Sequence, residues 1–282
     1  MYRRARNFDI GQTSRSGQCF RLNPMEKQEK GQADGQANGE YRLIVGEKTL
    51  YLRQGGDEIW LSCGEEEWEK IWRSYFDWDT DYGAFQDAVD PEDAYMQAAI
   101  RTGGGIRILR QPLWETLVSF IISQQNNIPR IKGCVESLCT LFGEERIDSR
   151  GYVYHTFPDA GRLAALSLED LAPCRLGYRS RYILATARMA AQGEIDLEAL
   201  GDLSYEEARR ELMRLPGVGK KVADCICLFA LHHIEAFPVD THIQAMLREH
   251  YPDGFPFDRY KGFAGVLQQY GFYYESFGRR LR

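Results

Sequence analysis

The feature that most constrains the fold of this chain is a short glycine-rich turn between two amphipathic segments. Tyr205 to Arg214 and Lys220 to Leu231 both have the apolar period of a helix, and Leu215-Pro-Gly-Val-Gly219 separates them. The order is therefore helix, hairpin, helix. Glycines can take positive φ and let backbone amides approach a phosphate, and the positive end of the second helix faces the anion. The segment predicts a helical body that can hold a nucleic-acid backbone without reading its sequence.

Composition predicts a globular protein that stays inside the cell. Of the 282 residues, 44% are hydrophobic, and no run approaches the roughly 18 apolar residues of a membrane span. The arginine-rich start lacks the apolar core of a signal peptide. Seven scattered cysteines fit a reducing compartment, and their spacing indicates no zinc or iron–sulfur site. We expect a monomer without cofactor, metal or membrane partner, in a bacterial cytoplasm and nucleoid or a eukaryotic nucleus.

Charge is distributed unevenly along the chain. The net charge of −6 alone argues against a nucleic-acid partner, because phosphate contacts dominate such binding. Thirteen acids lie between Asp57 and Asp93 against only Lys70 and Arg73, a local charge of −11, so the remaining residues sum to +5. We therefore expect one acidic surface and a locally basic surface elsewhere.

The fold class predicted from the pattern is α+β, with an antiparallel sheet followed by a helical body. Strand-like runs occur at Gln18–Leu22, Tyr41–Val45, Thr49–Arg53 and Ile59–Cys63, separated by glycine-bearing turns. Helical periods follow at Glu65–Tyr75, Pro91–Arg101, Pro112–Ser123, Ile128–Phe142, Leu168–Leu171, Ser180–Gln192, Tyr205–Leu215, Lys220–Leu231, Thr241–His250 and Phe263–Tyr274. We predict an N-terminal sheet domain with flanking helices over residues 1–105. Residues 106–282 are expected to form two packed helical subdomains with the functional site between them.

The glycine-rich turn belongs to a longer motif. Leu215-Pro-Gly-Val-Gly-Lys-Lys-Val-Ala-Asp-Cys225, with Pro238-Val-Asp240 downstream, resembles the helix-hairpin-helix (HhH-GPD) DNA glycosylases. Within that superfamily the chain is similar to the 8-oxoguanine DNA glycosylase/lyases, from about Phe8 to Tyr274. The resemblance implies base excision repair of duplex DNA, in which the oxidised guanine is cut from its sugar and the abasic strand is then nicked. For an isolated Pro-Gly-x-Gly, an ordinary loop between two packed helices would be the better interpretation.

Two residues of the motif carry the chemistry that the resemblance implies. Lys221 matches the family's nucleophile, whose amine attacks C1′ and forms an imine that permits β-elimination. A helical lysine is more often solvated or bound to a phosphate, and that role falls to the adjacent Lys220. Asp240 matches the essential aspartate and also suits a helix N-cap. A carboxylate held by helix N–H groups can stabilise a cationic sugar, so we expect electrostatic stabilisation rather than proton abstraction.

Chemistry on a base requires that the base leave the duplex for a pocket. Gly17 matches the glycine whose carbonyl accepts the N7–H that distinguishes 8-oxoguanine from guanine, although alone it would be a turn glycine. Gln268 and Phe272, four apart on one helix, match the residues that read and stack the base. Cys225 matches the cysteine on the base's other side, and His242 matches a histidine near the lesion's phosphate. Taken in isolation, Phe272 and Cys225 would be core residues and His242 could equally cap or pack.

The resemblance also implies a set of residues that contact the DNA itself. Ser123 to Arg130, between two helices, matches the family's wedge loop, and Gln125 and Asn126 are its central residues. Better-known members carry Asn at the position of Gln125, so the side chain that fills the hole is longer here. Arg130, Tyr178 and Arg179 match residues that hold the unpaired cytosine, and Gly217 and Gly219 those that hold the strand. The arginines predict a preference for cytosine opposite the lesion, whereas their isolated role would be phosphate binding.

Two other functions are consistent with parts of the sequence. An alkylated-base glycosylase of the same superfamily would use the aspartate without the lysine, and Lys221 and Gly17 argue against it. A non-catalytic DNA-binding module would account for the hairpin but not for Lys221, Asp240 and the pocket residues together. The adenine and endonuclease III types carry a four-cysteine cluster near the C-terminus, and no cysteine follows Tyr251.

Overall fold

A five-stranded antiparallel sheet forms most of the N-terminal part of the chain. The structure is a computed structural model in which residues 1–25 and 39–278 are described. The sheet has the order β1-β5-β4-β3-β2. Its strands are β1 Tyr2–Arg4, β2 Leu22–Pro24, β3 Glu40–Val45, β4 Lys48–Gly55 and β5 Glu58–Leu61. Two-residue turns join β3 to β4 and β4 to β5, since Val45 pairs with Lys48 and Gly55 with Glu58. The predicted antiparallel sheet and its glycine-bearing turns are confirmed.

The prediction of a strand over Gln18–Leu22 is wrong except at its last residue. The Gln18 side chain is fully buried and bonds the Arg107 carbonyl and the Leu109 N–H, and strand β2 begins only at Leu22. The short helix α1, Ile10–Arg15, escaped prediction, although Asp9 caps it by accepting a hydrogen bond from the Gln12 N–H. Strand β1 is only three residues long and offers too little alternation to be seen in the sequence.

One face of the sheet packs against the helical segment 65–75. This segment begins as α2, Glu65–Glu67, continues as a π-helical turn over Trp68–Trp72, and ends as α3, Arg73–Tyr75. Trp68 and Trp72 are both buried, and they pack on apolar side chains of β4 and β5 in a separate hydrophobic core. The helix predicted for Glu65–Tyr75 is therefore confirmed in position, with a π-helical turn at its centre.

The rest of the chain is mainly helical and forms a second, larger core. Its helices are α4 Tyr82–Asp87, α5 Ala94–Gly103, α6 Leu113–Ser123, α7 Ile128–Phe142, α8 Ala160–Ala164, α9 Arg179–Ala191, α10 Tyr205–Leu212, α11 Lys220–Phe229, α12 Thr241–His250 and α13 Ala264–Phe277. A two-stranded hairpin, β6 Glu145–Ile147 with β7 Val153–His155, follows α7. The α+β class with a helical body is confirmed, while the division at residue 105 stays a prediction. No helix among residues 1–25 and 39–278 has the length and hydropathy to cross a bilayer.

The helix predicted over Leu168–Leu171 does not form. Ser167 and Asp170 bond each other's side chains and backbone N–H groups, which closes a local turn instead. A short 3₁₀ turn follows over Ala172–Cys174, with Pro173 inside it. Helices α4 and α8 are too short for a clear apolar period, and both start at an aspartate cap, Asp81 and Asp159.

Candidate active-site cleft

The helical body and the N-terminal segment enclose a cleft of about 1170 Å³. It lies between α1, the wedge loop, the start of α11, the start of α12 and the length of α13. Twelve of the fifteen residues proposed from the sequence line it: Gly17, Gln125, Asn126, Tyr178, Gly219, Lys220, Lys221, Cys225, Asp240, His242, Gln268 and Phe272. Residues separated by up to 255 positions are thus brought to one cavity.

Lys221 lies in the first turn of α11 and is partly buried, whereas its neighbour Lys220 is exposed. The Lys221 Nζ lies 5.3 Å from the ring centroid of Phe120. Phe120 is itself stacked on Phe229, with centroids 5.4 Å apart and an interplanar angle of 16°. The aromatic pair packs beside the Lys221 side chain and limits the positions that its amine can take at the cleft.

The thiol of Cys225 is the other nucleophile near this amine. Burial raises the pKa of Cys225 to about 11, against the opposing effect of Lys221. Because the thiolate is the reactive form, this cysteine is a neutral apolar wall at neutral pH. The chemistry of the cleft therefore favours Lys221 over Cys225 as the attacking group.

Asp240 caps α12 where this helix begins at the cleft. Its carboxylate accepts a hydrogen bond of 2.9 Å from the Ile243 N–H. The segment before it is fixed to α13, since the buried Gln268 donates from Nε2 to the Pro238 carbonyl at 2.9 Å. Asp240 therefore caps α12 and lines the cleft at the same time, so the two roles expected from the sequence are compatible.

Gly17 meets Phe272 at one wall of the cleft. It has a φ of +74°, and a Cβ built there would lie 3.4 Å from both Phe272 Cε1 and Ile128 Cδ1. Phe272 in turn meets His242 edge to face, with ring centroids 5.6 Å apart. Gly17, Phe272 and His242 thus form one contiguous wall, with Gln268 one turn below Phe272 on α13.

The hairpin Leu215–Gly219 uses its two glycines differently. Gly217 has a φ of +81°, and a Cβ there would lie 2.5 Å from Tyr182 Cγ, so only glycine fits against this ring. Gly219 has an ordinary φ of −87°, and a Cβ there would meet no atom within 4 Å among the described residues. The expectation of positive φ is therefore confirmed for Gly217 and wrong for Gly219, which instead leaves the start of α11 open to a ligand.

Three of the proposed residues do not line the cleft: Arg130, Arg179 and Gly217. Arg130 is exposed at the start of α7. Arg179 is only 4% exposed, and its guanidinium donates to the carbonyls of Gln124, Gln125 and Leu176. The structure thus places Arg179 behind the wedge loop.

Profiles of known families match almost the whole of the described chain. Residues 2–117 match the profile described as 8-oxoguanine DNA glycosylase, N-terminal domain, and residues 118–254 match the HhH-GPD superfamily base excision DNA repair protein. A solved structure of the Clostridium acetobutylicum 8-oxoguanine glycosylase/lyase, bound to duplex DNA with cytosine opposite 8-oxoguanine, is 32% identical with a TM-score of 0.86. The match covers 99% of this chain and 98% of that one.

The chain belongs to the 8-oxoguanine DNA glycosylase family.

Two further relatives agree with this assignment. A structure of MBOgg1 with a low-affinity DNA ligand is 36% identical, covers 98% of this chain and 94% of its own, and has a TM-score of 0.88. The N-glycosylase/DNA lyase of Saccharomyces cerevisiae is 40% identical over 158 residues, 52% of this chain. That matched region spans 42% of the length of the yeast protein.

For a DNA glycosylase family, the charge of the cleft matters more than the net charge of the chain. Four basic side chains line the cleft, namely Arg15, Lys132, Lys220 and Lys221, against one carboxylate, Asp240. The acidic segment Asp57–Asp93 contributes no lining residue. The positive surface expected from the sequence is thus located at the cavity, where phosphate binding requires it. Among the described residues, no group of His, Cys, Asp and Glu side chains is placed to hold a metal ion.

Several residues that shape the cleft were missed by the sequence reasoning. Gln18, fully buried, donates to the Arg107 carbonyl and accepts from the Leu109 N–H, both at 2.9 Å, and so anchors Gly17. Its partners lie 89 and 91 positions away, so no local pattern in the sequence reports this anchor. Phe120, Phe229 and Lys132 also line the cavity, but they belong to ordinary helical periods and carried no separate signal.

Proposed function

We propose that the chain is a bifunctional DNA repair enzyme that excises 8-oxoguanine from duplex DNA and then cleaves the abasic strand as a lyase. The observation that carries the proposal is the shared cavity: Lys221 and Asp240 open into the same space as Gly17, Gln268 and Phe272. This reaction needs a nucleophile, a fixed negative charge and a surface on which the flipped base can stack. Membership of the family supports the same conclusion.

The reaction begins with the flipped nucleotide in the cleft. The neutral Lys221 amine forms a bond to C1′, the bond from C1′ to N9 breaks, and the base leaves with that electron pair and takes up a proton. Positive charge develops on the sugar as the base departs. The Asp240 carboxylate, fixed by the Ile243 N–H, stabilises this charge without taking up a proton.

The lyase step uses the same lysine. A proton passes from nitrogen to the ring oxygen O4′ as the C1′–O4′ bond breaks, which opens the sugar and gives a protonated imine between Nζ and C1′. This protonated imine acidifies the C2′ protons. Removal of one of them expels the 3′ phosphate oxygen with the bonding electrons, and hydrolysis of the imine returns the amine. The apolar ring of Phe120 beside Nζ excludes water from the amine before attack.

Selection of the oxidised base is assigned to Gly17. Its carbonyl accepts the N7–H of 8-oxoguanine, whereas guanine would present a lone pair to the same oxygen. The buried Gln18 anchors the left-handed backbone of Gly17, which lies against Phe272, the ring on which the base stacks. Gln268 is proposed to read the Watson–Crick edge after its amide has left the Pro238 carbonyl, and Cys225 closes the opposite face.

Preference for cytosine is assigned to the wedge loop and its neighbours. Gln125 is exposed at the cleft, next to Asn126 and Tyr178, where a side chain can fill the hole left by the flipped base. Arg130 lies at the surface, where its guanidinium donates to the Arg175 carbonyl at 3.5 Å, and it is proposed to donate to an unpaired cytosine instead when DNA is bound. Arg179 is proposed to do the same once the wedge loop has moved. We propose that the active species is a monomer that acts inside the cell on double-stranded DNA.

Excision measured on a matched set of duplexes tests the function. The set carries 8-oxoguanine opposite each of the four bases, guanine opposite cytosine, and an alkylated adenine opposite thymine. We expect excision of 8-oxoguanine, fastest opposite cytosine, and none of guanine. Equal rates opposite all four bases would remove the opposite-base assignment. Excision of the alkylated base alone would establish the second glycosylase function, and binding without excision would establish a non-catalytic module.

A further inference from the structure

The wedge loop Ser123–Arg130 and the hairpin Leu215–Gly219 are joined by one side chain. Gln124 donates from Nε2 to the Gly217 carbonyl at 2.9 Å and to the Ile121 carbonyl at 3.1 Å. Its own carbonyl accepts two hydrogen bonds from the Arg179 guanidinium, one of them at 2.8 Å. Gln124 is thus hydrogen-bonded to the hairpin through its side chain and to α9 through its backbone carbonyl.

Both of these loops are attached to the same face of α9. Arg179 bonds the carbonyls of Gln124 and Gln125 in the wedge loop, and Tyr182 packs against Gly217. Thr186 donates to the Pro216 carbonyl at 3.2 Å. Positions spaced by three and by four residues lie on one helical face, so α9 fixes the distance between the two loops.

The wedge loop is held in an unfavourable backbone conformation. Gln125 has a φ of +46°, which a residue with a Cβ rarely adopts without support from its surroundings. The hydrogen bond from Arg179 to the Gln125 carbonyl, 3.1 Å long, supplies part of that support. Gln124, the residue immediately before it, is bonded to the hairpin. A shift of the hairpin would therefore also move Gln125, the residue proposed to enter the DNA duplex.

We propose that Gln124 is a positioning residue that couples the hairpin's grip on the DNA backbone to insertion of Gln125 into the base stack. The inference rests on the proposed function, because it concerns how the base is extruded. Backbone binding by the hairpin fixes the Gly217 carbonyl, and the Gln124 amide then holds the wedge loop in the geometry that fills the hole. Without this amide the hairpin still binds phosphates, but insertion requires the loop to be ordered separately.

Two substitutions remove the link in different ways. Gln124→Leu has a similar size but no donor, and Gln124→Glu keeps the shape while placing a carboxylate against the Gly217 carbonyl. Gln97→Glu is the matched control, because the Gln97 amide also donates to backbone carbonyls, those of Val89 and Asp90, and none of these three residues lines the cleft. Each variant is compared with the wild type for thermal stability, affinity for undamaged duplex and single-turnover excision of 8-oxoguanine opposite cytosine.

We expect Gln124→Leu and Gln124→Glu to bind undamaged duplex within about 2-fold of the wild type, and to excise about 10-fold or more slowly. Borohydride trapping on a preformed abasic site, which has no base to extrude, should stay near the wild-type level. In a double-mutant cycle with Gln125→Ala, Gln124→Leu should add little, since the side chain that it positions is already missing. Gln97→Glu should excise normally.

The outcomes separate this inference from the proposed function. A wild-type chain that binds duplex and excises nothing contradicts the function. Normal wild-type excision with an equally active Gln124→Leu contradicts the coupling alone. Parallel losses of stability, duplex binding and excision in both Gln124 variants, or full additivity with Gln125→Ala, would assign Gln124 to folding and overturn its role in positioning.

Discussion

Asp240 combines a structural and a chemical task in one carboxylate, and the two can be separated by substitution. As the N-cap of α12 it accepts the Ile243 N–H. Asparagine caps helices about as well as aspartate but carries no charge. Asp240→Asn should therefore fold normally, with an unchanged melting temperature, and should lose at least about 100-fold in single-turnover excision. Near-normal excision by this variant would contradict the role as a fixed anion.

The two hairpin glycines allow a similar separation. Gly217→Ala should lower the free energy of unfolding by about 1–3 kcal/mol, because of the positive φ and the clash with Tyr182. Gly219→Ala should leave it nearly unchanged and weaken duplex binding, since the new methyl group projects where a phosphate would approach. Chemical denaturation and a binding titration measure the two effects. A stable Gly217→Ala variant, or equal destabilisation by both, would refute this division of roles.

At the scale of secondary structure, the sequence predicted long amphipathic helices well and short elements poorly. The bounds of α7 and α12 agree with the prediction to the residue. Both have a clear apolar period and a side-chain cap, Asn127 and Asp240, so local signals agree with tertiary packing. The strand predicted over Gln18–Arg21 does not form, because the side chains of Gln18 and Arg21 are held by long-range hydrogen bonds that no local pattern reports.

Helix α6 contains a carboxyl that makes stability depend on pH. Desolvation raises the pKa of Glu115 to about 7, against the Arg21 guanidinium and with a smaller contribution from Glu136. The folded pKa lies above the unfolded value of 4.5, so the folded chain binds more protons between the two. The stabilisation from protonated Glu115 is complete below pH 4.5 and is lost as the pH rises through about 7.

Glu115→Gln imitates the protonated carboxyl at every pH. We expect the variant and the wild type to have similar unfolding free energies at pH 5. At pH 8 the variant should be more stable, by up to a few kcal/mol. Denaturation at four pH values from 5 to 8 measures the difference, with exposed Glu198→Gln as a control that should give a flat difference. A difference for Glu115→Gln that does not grow with pH would contradict the desolvation of this group.

Across the whole molecule, the separation of charge reconciles an acidic chain with a DNA partner. The cleft walls carry Arg15, Lys132, Lys220 and Lys221, while the acidic segment Asp57–Asp93 lies elsewhere. Affinity for undamaged duplex should fall steeply as salt rises. Lys220→Gln should reduce the slope of log affinity against log salt by about 1, and Lys70→Gln in the acidic segment should not change it. Equal slopes for Lys220→Gln and the wild type would mean that Lys220 contacts no phosphate.

Site residues that belong to a sequence motif could be predicted, whereas residues whose position depends on tertiary packing could not. Lys221, Asp240 and Gly17 could be proposed from the motif, and the structure brings all three to one cavity. The burial of Arg179 behind the wedge loop could not be foreseen, because it depends on how α9 packs beneath that loop. The bond from Gln124 to Gly217 joins positions 93 residues apart and has no signature in the sequence.

The central claim is that Lys221 forms a covalent imine with the sugar of an excised 8-oxoguanine. The most direct measurement is borohydride trapping on duplex containing 8-oxoguanine opposite cytosine, for the wild type, Lys221→Gln and the adjacent Lys220→Gln. We predict a covalent protein–DNA adduct for the wild type and for Lys220→Gln, and none for Lys221→Gln. An adduct of normal yield with Lys221→Gln, or its loss only with Lys220→Gln, would contradict the assignment of Lys221 as the nucleophile.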